Sequence, residues 1–319
     1  MYGELMGIFT GISFALSFVL ARKIENEATP IFQNAIRSIV GFITFLTICL
    51  LYMVFVKIFY LPLQLVLILC ISIVFTVILG DTIYLQSQKI LGPAKALAIT
   101  TTTPFFTLLF AIIFLNRSIS PLMIFSAILI GFGVIIITKE KNIILNNGFS
   151  NPYKSQKLDS QNKLIRIHLS KTLKGTFLAL FTALSWAIGI AMTDYSINQV
   201  DQILNLGILS TMISMMIRFL FASISLGTMA CIEGKRKPIP KRRNTWIILL
   251  LSAILSYSFG SIFFGEAVHV AGSVFMSLIS TALPLFTIPF SYIINKERLS
   301  KKGFLGVGIT LVGVLLILI

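Results

Sequence analysis

Residues 80–107 read GDTIYLQSQKILGPAKALAITTTTPFFT, and residues 260–287 read GSIFFGEAVHVAGSVFMSLISTALPLFT. Overlaid at a constant shift of 180 positions, Gly80 meets Gly260, Gly92 meets Gly272, Pro104 meets Pro284 and Thr107 meets Thr287. The same shift carries Ser120 onto Ser300 and Gly133 onto Gly313. One matched glycine means little, but an ungapped Gly-Gly-Pro-Gly series indicates an internal duplication. Near the start of each half, Phe9-Thr10 with Ser13-Phe14-Ala15 answers Phe181-Thr182 with Ser185-Trp186-Ala187. Arg37 in Ile-Arg-Ser answers Arg218 in Ile-Arg-Phe.

The duplicated unit is a membrane unit. The chain is 56% hydrophobic and 12% charged, with a mean hydropathy of +0.95, too little polar surface for a soluble domain of 319 residues. Its apolar residues fall in blocks of about 20, the length an α-helix needs to cross ~30 Å of hydrocarbon. Ten spans are expected, at about 3–21, 32–56, 63–86, 94–115, 120–138, 175–195, 205–232, 246–268, 271–294 and 303–319. Helices are preferred because barrel strands are short and alternate in polarity. The polar stretch 139–174, with Asn146-Asn147-Gly148 and Asn151-Pro152, buries no apolar area and reads as a linker. It separates a five-helix unit, 1–138, from a second, 175–319. A unit with an odd number of spans enters the membrane the opposite way the second time. The expected fold is therefore an all-α membrane protein of ten transmembrane helices, built as two inverted five-helix repeats.

Net charge is +15. Of the 26 basic residues, all but Arg37, Lys57, Lys95, Arg117 and Arg218 lie in the connections after odd-numbered spans. That bias puts the 139–174 linker in the cytoplasm of a multi-pass cell-membrane protein and both termini outside. It gives the basic residues a lipid bilayer to touch, and no folded basic domain exists to bind nucleic acid. Cys49, Cys70 and Cys231 sit in apolar segments without metal or disulfide spacing. With His168 and His269 as the sole histidines, no catalytic triad, metal centre, Walker loop or dinucleotide turn is visible. Neither an enzyme nor a resident cofactor is expected.

Ionisable groups inside spans are costly and point to function. Arg218 lies mid-span, where its guanidinium either binds an anionic substrate group or pairs within the protein. Arg37 sits one to two turns from its span's end. Asp81 opens a polar run with Tyr84, Gln86 and Gln88, and Glu266 stands opposite Gln86 in the repeat. Either carboxyl is a candidate for proton or ion coupling, or for a structural ion pair. Pro104 and Pro284 kink equivalent spans and free carbonyls at midplane. Thr100 to Thr103 and Ser277, Ser280 and Thr281 would add hydroxyls there. Among these, Thr103 and Thr281 stand nearest the prolines. Phe14 and Trp186 either cap a cavity or belong to the core. Lys95, Trp246 and Tyr292 read as interface anchors. The fifth and tenth spans brace the outside or form a homodimer contact.

Leu91-Gly92-Pro93-Ala94-Lys95-Ala96, Thr103-Pro104-Phe105-Phe106 and Gly131-Phe132-Gly133-Val134 resemble the EamA repeat of the drug/metabolite transporter superfamily. Leu283-Pro284-Leu285-Phe286, Lys296-Glu297-Arg298-Leu299-Ser300 and Gly306 to Gly313 repeat the resemblance in the second half. It covers nearly everything except the linker. The family's acidic residue between the fourth and fifth helices survives as Glu297, but Arg117 takes its place in the first half. The resemblance implies ten helices, an inverted repeat and transport of small organic metabolites, often amino acids or cationic compounds and frequently outward. The expected function is a secondary active transporter working by alternating access. The alternatives are a lipid or lipid-linked sugar flippase and a membrane scaffold that carries nothing.

Overall fold

Gly92 and Gly272 each end one helix and begin the next. The first has φ 84 and ψ 156, the second φ 80 and ψ 170, a backbone region that residues with a Cβ rarely enter. The start after each break differs. Pro93 opens its helix and has no N–H to satisfy. Ser273 has one, and it is capped across the chain by Asp194 Oδ2 at 2.8 Å.

The computed structural model describes residues 2–106, 121–139, 143–144, 158–234, 239–298 and 300–317. Its helices are α1 (Tyr2–Lys23), α2 (Pro30–Leu51), α3 (Leu63–Leu91), α4 (Pro93–Thr100), α5 (Pro121–Lys139), α6 (Leu158–Leu204), α7 (Ile208–Gly234), α8 (243–271), α9 (273–295) and α10 (Lys301–Ile317). Among the described residues, the rest of the regular structure is a 3-10 turn, Phe55–Tyr60, a helical stretch at 103–106, and a two-residue antiparallel pairing of Ile143–Ile144 with Glu297–Arg298. Among the described residues, six stretches are long and apolar enough to cross a membrane. They are Leu5–Lys23, Pro30–Leu51, Leu63–Leu91, Lys171–Leu204, Ile208–Gly234 and Arg243–Ser273.

Helix ends follow local chemistry. α2 starts at Pro30 behind Thr29, whose hydroxyl accepts from Phe32 N–H at 3.2 Å. It stops at Leu51, short of the expected 56, and Met53 then turns left-handed at φ 54. α6 begins at Leu158, inside the expected linker, because no Gly or Pro stands between Leu158 and Lys174 to interrupt it. At 1.5 Å per residue a helix of 47 residues spans about 70 Å, so its polar head runs well beyond the apolar part. The far end of the expected fourth span, with Thr107, Arg117 and Ser120, lies outside the described residues.

Two π-helical turns interrupt α3 and α8 at matching places, Val74–Asp81 and Ile254–Gly260. Each ends beside a glycine that receives a ring from the other half of the chain. A Cβ on Gly80 would lie 2.6 Å from Trp186 Cδ1, and one on Gly260 would lie 2.7 Å from Phe14 Cε1. The helices pack in corresponding pairs: α1 against α8 and α9, α6 against α3 and α4, α2 against α7, and α5 against α10. Close approach holds the α5–α10 pair, where a Cβ on Gly133 would sit 2.8 Å from the Gly306 carbonyl.

Candidate functional site

Arg37 of α2 is fully buried. Its Nη1 donates to Asn34 Oδ1 at 2.9 Å, its Nη2 to Ser256 Oγ at 2.9 Å and Ser17 Oγ at 3.2 Å, and its Nε to Ser256 Oγ at 3.1 Å. The guanidinium also lies 4.4 Å from the centre of the Tyr257 ring. Tyr257 then donates its hydroxyl proton to Asp81 Oδ2 at 2.6 Å, while Trp186 Nε1 donates to Asp81 Oδ1 at 2.9 Å. One phenol thus stands between a buried cation and a buried anion and joins α2, α8, α3 and α6.

Arg218 of α7 is 2% exposed and far less complete. Nη2 donates to Thr76 Oγ1 at 3.0 Å, Nη1 reaches only Met215 Sδ at 3.2 Å, and Nε has no partner. Among the described residues no carboxylate pairs with it, and only the Thr76 hydroxyl, the Met215 sulfur and the Phe264 ring, 6.0 Å away, offset the cost of burying its charge. Arg218 faces a cavity between the two halves of the chain. Phe14, Trp186, Tyr257 and Phe264 are among its walls, and Asp81 and Arg218 are its charged lining residues.

The two arginine environments correspond residue by residue. Arg37 and Asn34 map onto Arg218 and Met215 with one shift, and Ser256 and Tyr257 map onto Thr76 and Val77 at the 180-residue offset. Each arginine therefore bonds its i−3 neighbour and a hydroxyl on the π-helical turn of the other half. Ser17 maps onto Gly189 by the spacing that relates Phe14 to Trp186. Ser17 bonds the Ser252 carbonyl at 2.8 Å, and at Gly189 an added Cβ would press on Ser72 O at 3.0 Å. The frame is shared, but three polar groups around Arg37 are missing around Arg218.

The other expected site residues scatter. Asp81, Trp186 and Phe14 line the cavity with Arg218. Tyr84 is buried behind it, its ring 4.4 Å from Phe18 and 5.6 Å from Trp186. Gln86 is exposed and borders a separate groove with Lys89 and Glu25. Thr100 to Thr103 each turn their hydroxyls onto carbonyls one turn back, at 2.7–3.0 Å, and do not line the cavity. Pro104 and Pro284 are buried outside it, and the side chain of Thr281 lies outside what is described. Lys95 is buried within the protein rather than at an interface.

Glu266 is also buried, one turn from His269, and its Oε2 lacks a partner. His269 Nε2 lies 3.2 Å from Asp201 Oδ2. These groups sit near the Gly272 break, apart from the cavity lining. Sequence reasoning missed Asn34, Ser17, Thr76, Ser256 and Tyr257. The one available signal was the polar cluster Ser252, Ser256, Tyr257, Ser258 and Ser261 inside an otherwise apolar block.

Packed apolar helices around a mostly apolar cavity with a buried arginine in its wall define a multi-pass membrane protein. Models of the EamA-like transporter family match residues 1–139 and again 173–319, and the chain belongs to that family. No curated protein matches it. A solved structure described only as "Crystal structure of protein" is similar over 99% of this chain and 96% of its own, with a TM-score of 0.61 at 14% identity. At that identity the likeness shows a shared fold.

Proposed function

We propose that this chain is a secondary transporter of small organic metabolites that works by alternating access. Its frame in this reading is ten transmembrane helices in two inverted five-helix repeats, divided by the 139–174 linker. The single observation that carries it is the cavity between the two halves with Arg218 buried in its wall and short of partners.

The contacts around the cavity support a gated path. On one side the Arg37–Tyr257–Asp81–Trp186 network closes the space between halves. Beyond it, Glu27 binds Arg242 at 3.1 Å and also Thr245, while Thr29 donates to Glu233 Oε2 at 2.6 Å. Arg22 Nη1 donates to the carbonyls of Gln88 and Lys89, both at 3.1 Å. These polar ties join α1, α2, α3, α7 and α8 at one end and would open in the other state of the cycle. The cavity reaches instead toward Thr10, Met276 and Ile279, near the Gly272 break. A hinge of that kind has the local freedom that domain closure uses. We place ion coupling at Glu266, whose partnerless oxygen and neighbouring His269 suit proton uptake.

Uptake and efflux in vesicles, with organic anions, amino acids and organic cations and with and without a pH gradient, tests this reading. It predicts saturable flux for at least one class and a response to the gradient that Glu266→Gln removes. No saturable flux for any solute contradicts it. Reporter fusions at Ile319 check the orientation, which the charge bias places outside.

A further inference from the structure

We infer that the solute this protein carries is a small organic monoanion with an apolar body, its anionic group seated on Arg218. The inference rests on the transport reading above and narrows its substrate.

Charge accounting around the cavity leads there. Among the described residues, two charged side chains line it, Asp81 and Arg218. Asp81 is already matched: Tyr257 joins it to the Arg37 guanidinium, and both its oxygens hold donors. Arg218 is not matched. It keeps the hydroxyl bond to Thr76, but where Arg37 has Asn34, Tyr257 and Ser17, Arg218 has Met215, Val77 and Gly189. Val77 in the tyrosine's place leaves an apolar cavity wall beside the guanidinium, and its Nε has no partner. A carboxylate or sulfonate fits that fork and neutralises it. A zwitterion brings no net charge and leaves the buried excess in place, and an organic cation enlarges it. The remaining walls, Phe14, Phe264, Met276 and Leu283 among them, offer apolar surface to the rest of the molecule. This departs from the cationic compounds that the family resemblance suggests.

Titration calorimetry on the purified full-length protein in nanodiscs tests the inference with two matched series. These are phenylacetate, phenylglycine and benzylamine, and hexanoate, norleucine and pentylamine. The expected order is anion first, by about 10-fold over the zwitterion, with no binding of the amine. Arg218→Gln removes the order, Arg218→Lys keeps it, and Met215→Asn, which offers the guanidinium an internal acceptor, weakens the anion alone. Equal or tighter binding of zwitterion or amine overturns the inference. So does no binding in either series, or an order unchanged in Arg218→Gln. Anion binding without saturable flux contradicts the transport reading and leaves this one standing; saturable flux restricted to amines does the reverse.

Discussion

Arg218 Nη2 donates to Thr76 Oγ1 at 3.0 Å, and this contact repeats, on the other half of the chain, the 2.9 Å contact from Arg37 Nη2 to Ser256 Oγ. Duplication supplied both frames. What separates the fully bonded arginine from the partly bonded one is the set of side chains that complete the frame.

Val77→Tyr restores the missing phenol beside Arg218, at the position equivalent to Tyr257. It fills cavity volume and crowds the π-helical turn, at a cost of about 1–3 kcal/mol in stability. Flux is expected to fall at least tenfold with the protein still inserted and monodisperse by size-exclusion chromatography, while Val77→Ala retains flux. Undiminished flux in Val77→Tyr places the path elsewhere.

Tyr257→Phe leaves Asp81 with one donor and removes the phenol dipole next to Arg37. A hydrogen bond to a buried charged group is worth about 1.5–3 kcal/mol. Thermal unfolding followed by tryptophan fluorescence is expected at lower temperature, with slower exchange between the two sides. A melting curve that matches the parent shows that the bridge holds nothing.

Gly80→Ala and Gly260→Ala test the paired ring seats. Each added methyl falls inside 3 Å of a ring, Trp186 in one case and Phe14 in the other. Overpacking of this kind costs about 1–3 kcal/mol. Gly80→Ala is expected to harm flux more, because displacing Trp186 also removes its bond to Asp81.

Gly92→Ala and Gly272→Ala force a Cβ into backbone at φ 84 and φ 80. Strain of about 1–3 kcal/mol is expected at each, read as matched drops in melting temperature. If only one position responds, the two breaks are not mechanically equivalent.

Much of this was legible in the residues. The Gly80, Gly92, Gly260 and Gly272 spacing announced the duplication because those positions obey backbone geometry and close packing, which a linear pattern records. Arg218, Asp81, Trp186 and Phe14 stood out because charge and large rings are conspicuous in apolar blocks, and all four line the cavity. Asn34, Thr76 and Ser256 did not, since a hydroxyl or amide in a span is ordinary until folding brings an arginine from another helix to it. Gln86 lies away from the cavity that Asp81 lines. It belongs to a polar run that Asp81 opens and stands opposite Glu266 in the repeat, yet the helical turn from Asp81 to Gln86 carries that side chain to the exposed end of α3. The threonines before Pro104 satisfy themselves on their own helix, a local competition that composition does not reveal.

The most direct test is counterflow in proteoliposomes, comparing the parent protein with Arg218→Gln and Arg218→Lys at equal reconstituted amounts. Trapped unlabelled organic anion is expected to drive saturable accumulation of its labelled form in the parent. Arg218→Lys should reduce that accumulation and Arg218→Gln abolish it, with insertion unchanged. Accumulation in Arg218→Gln equal to the parent would contradict the account.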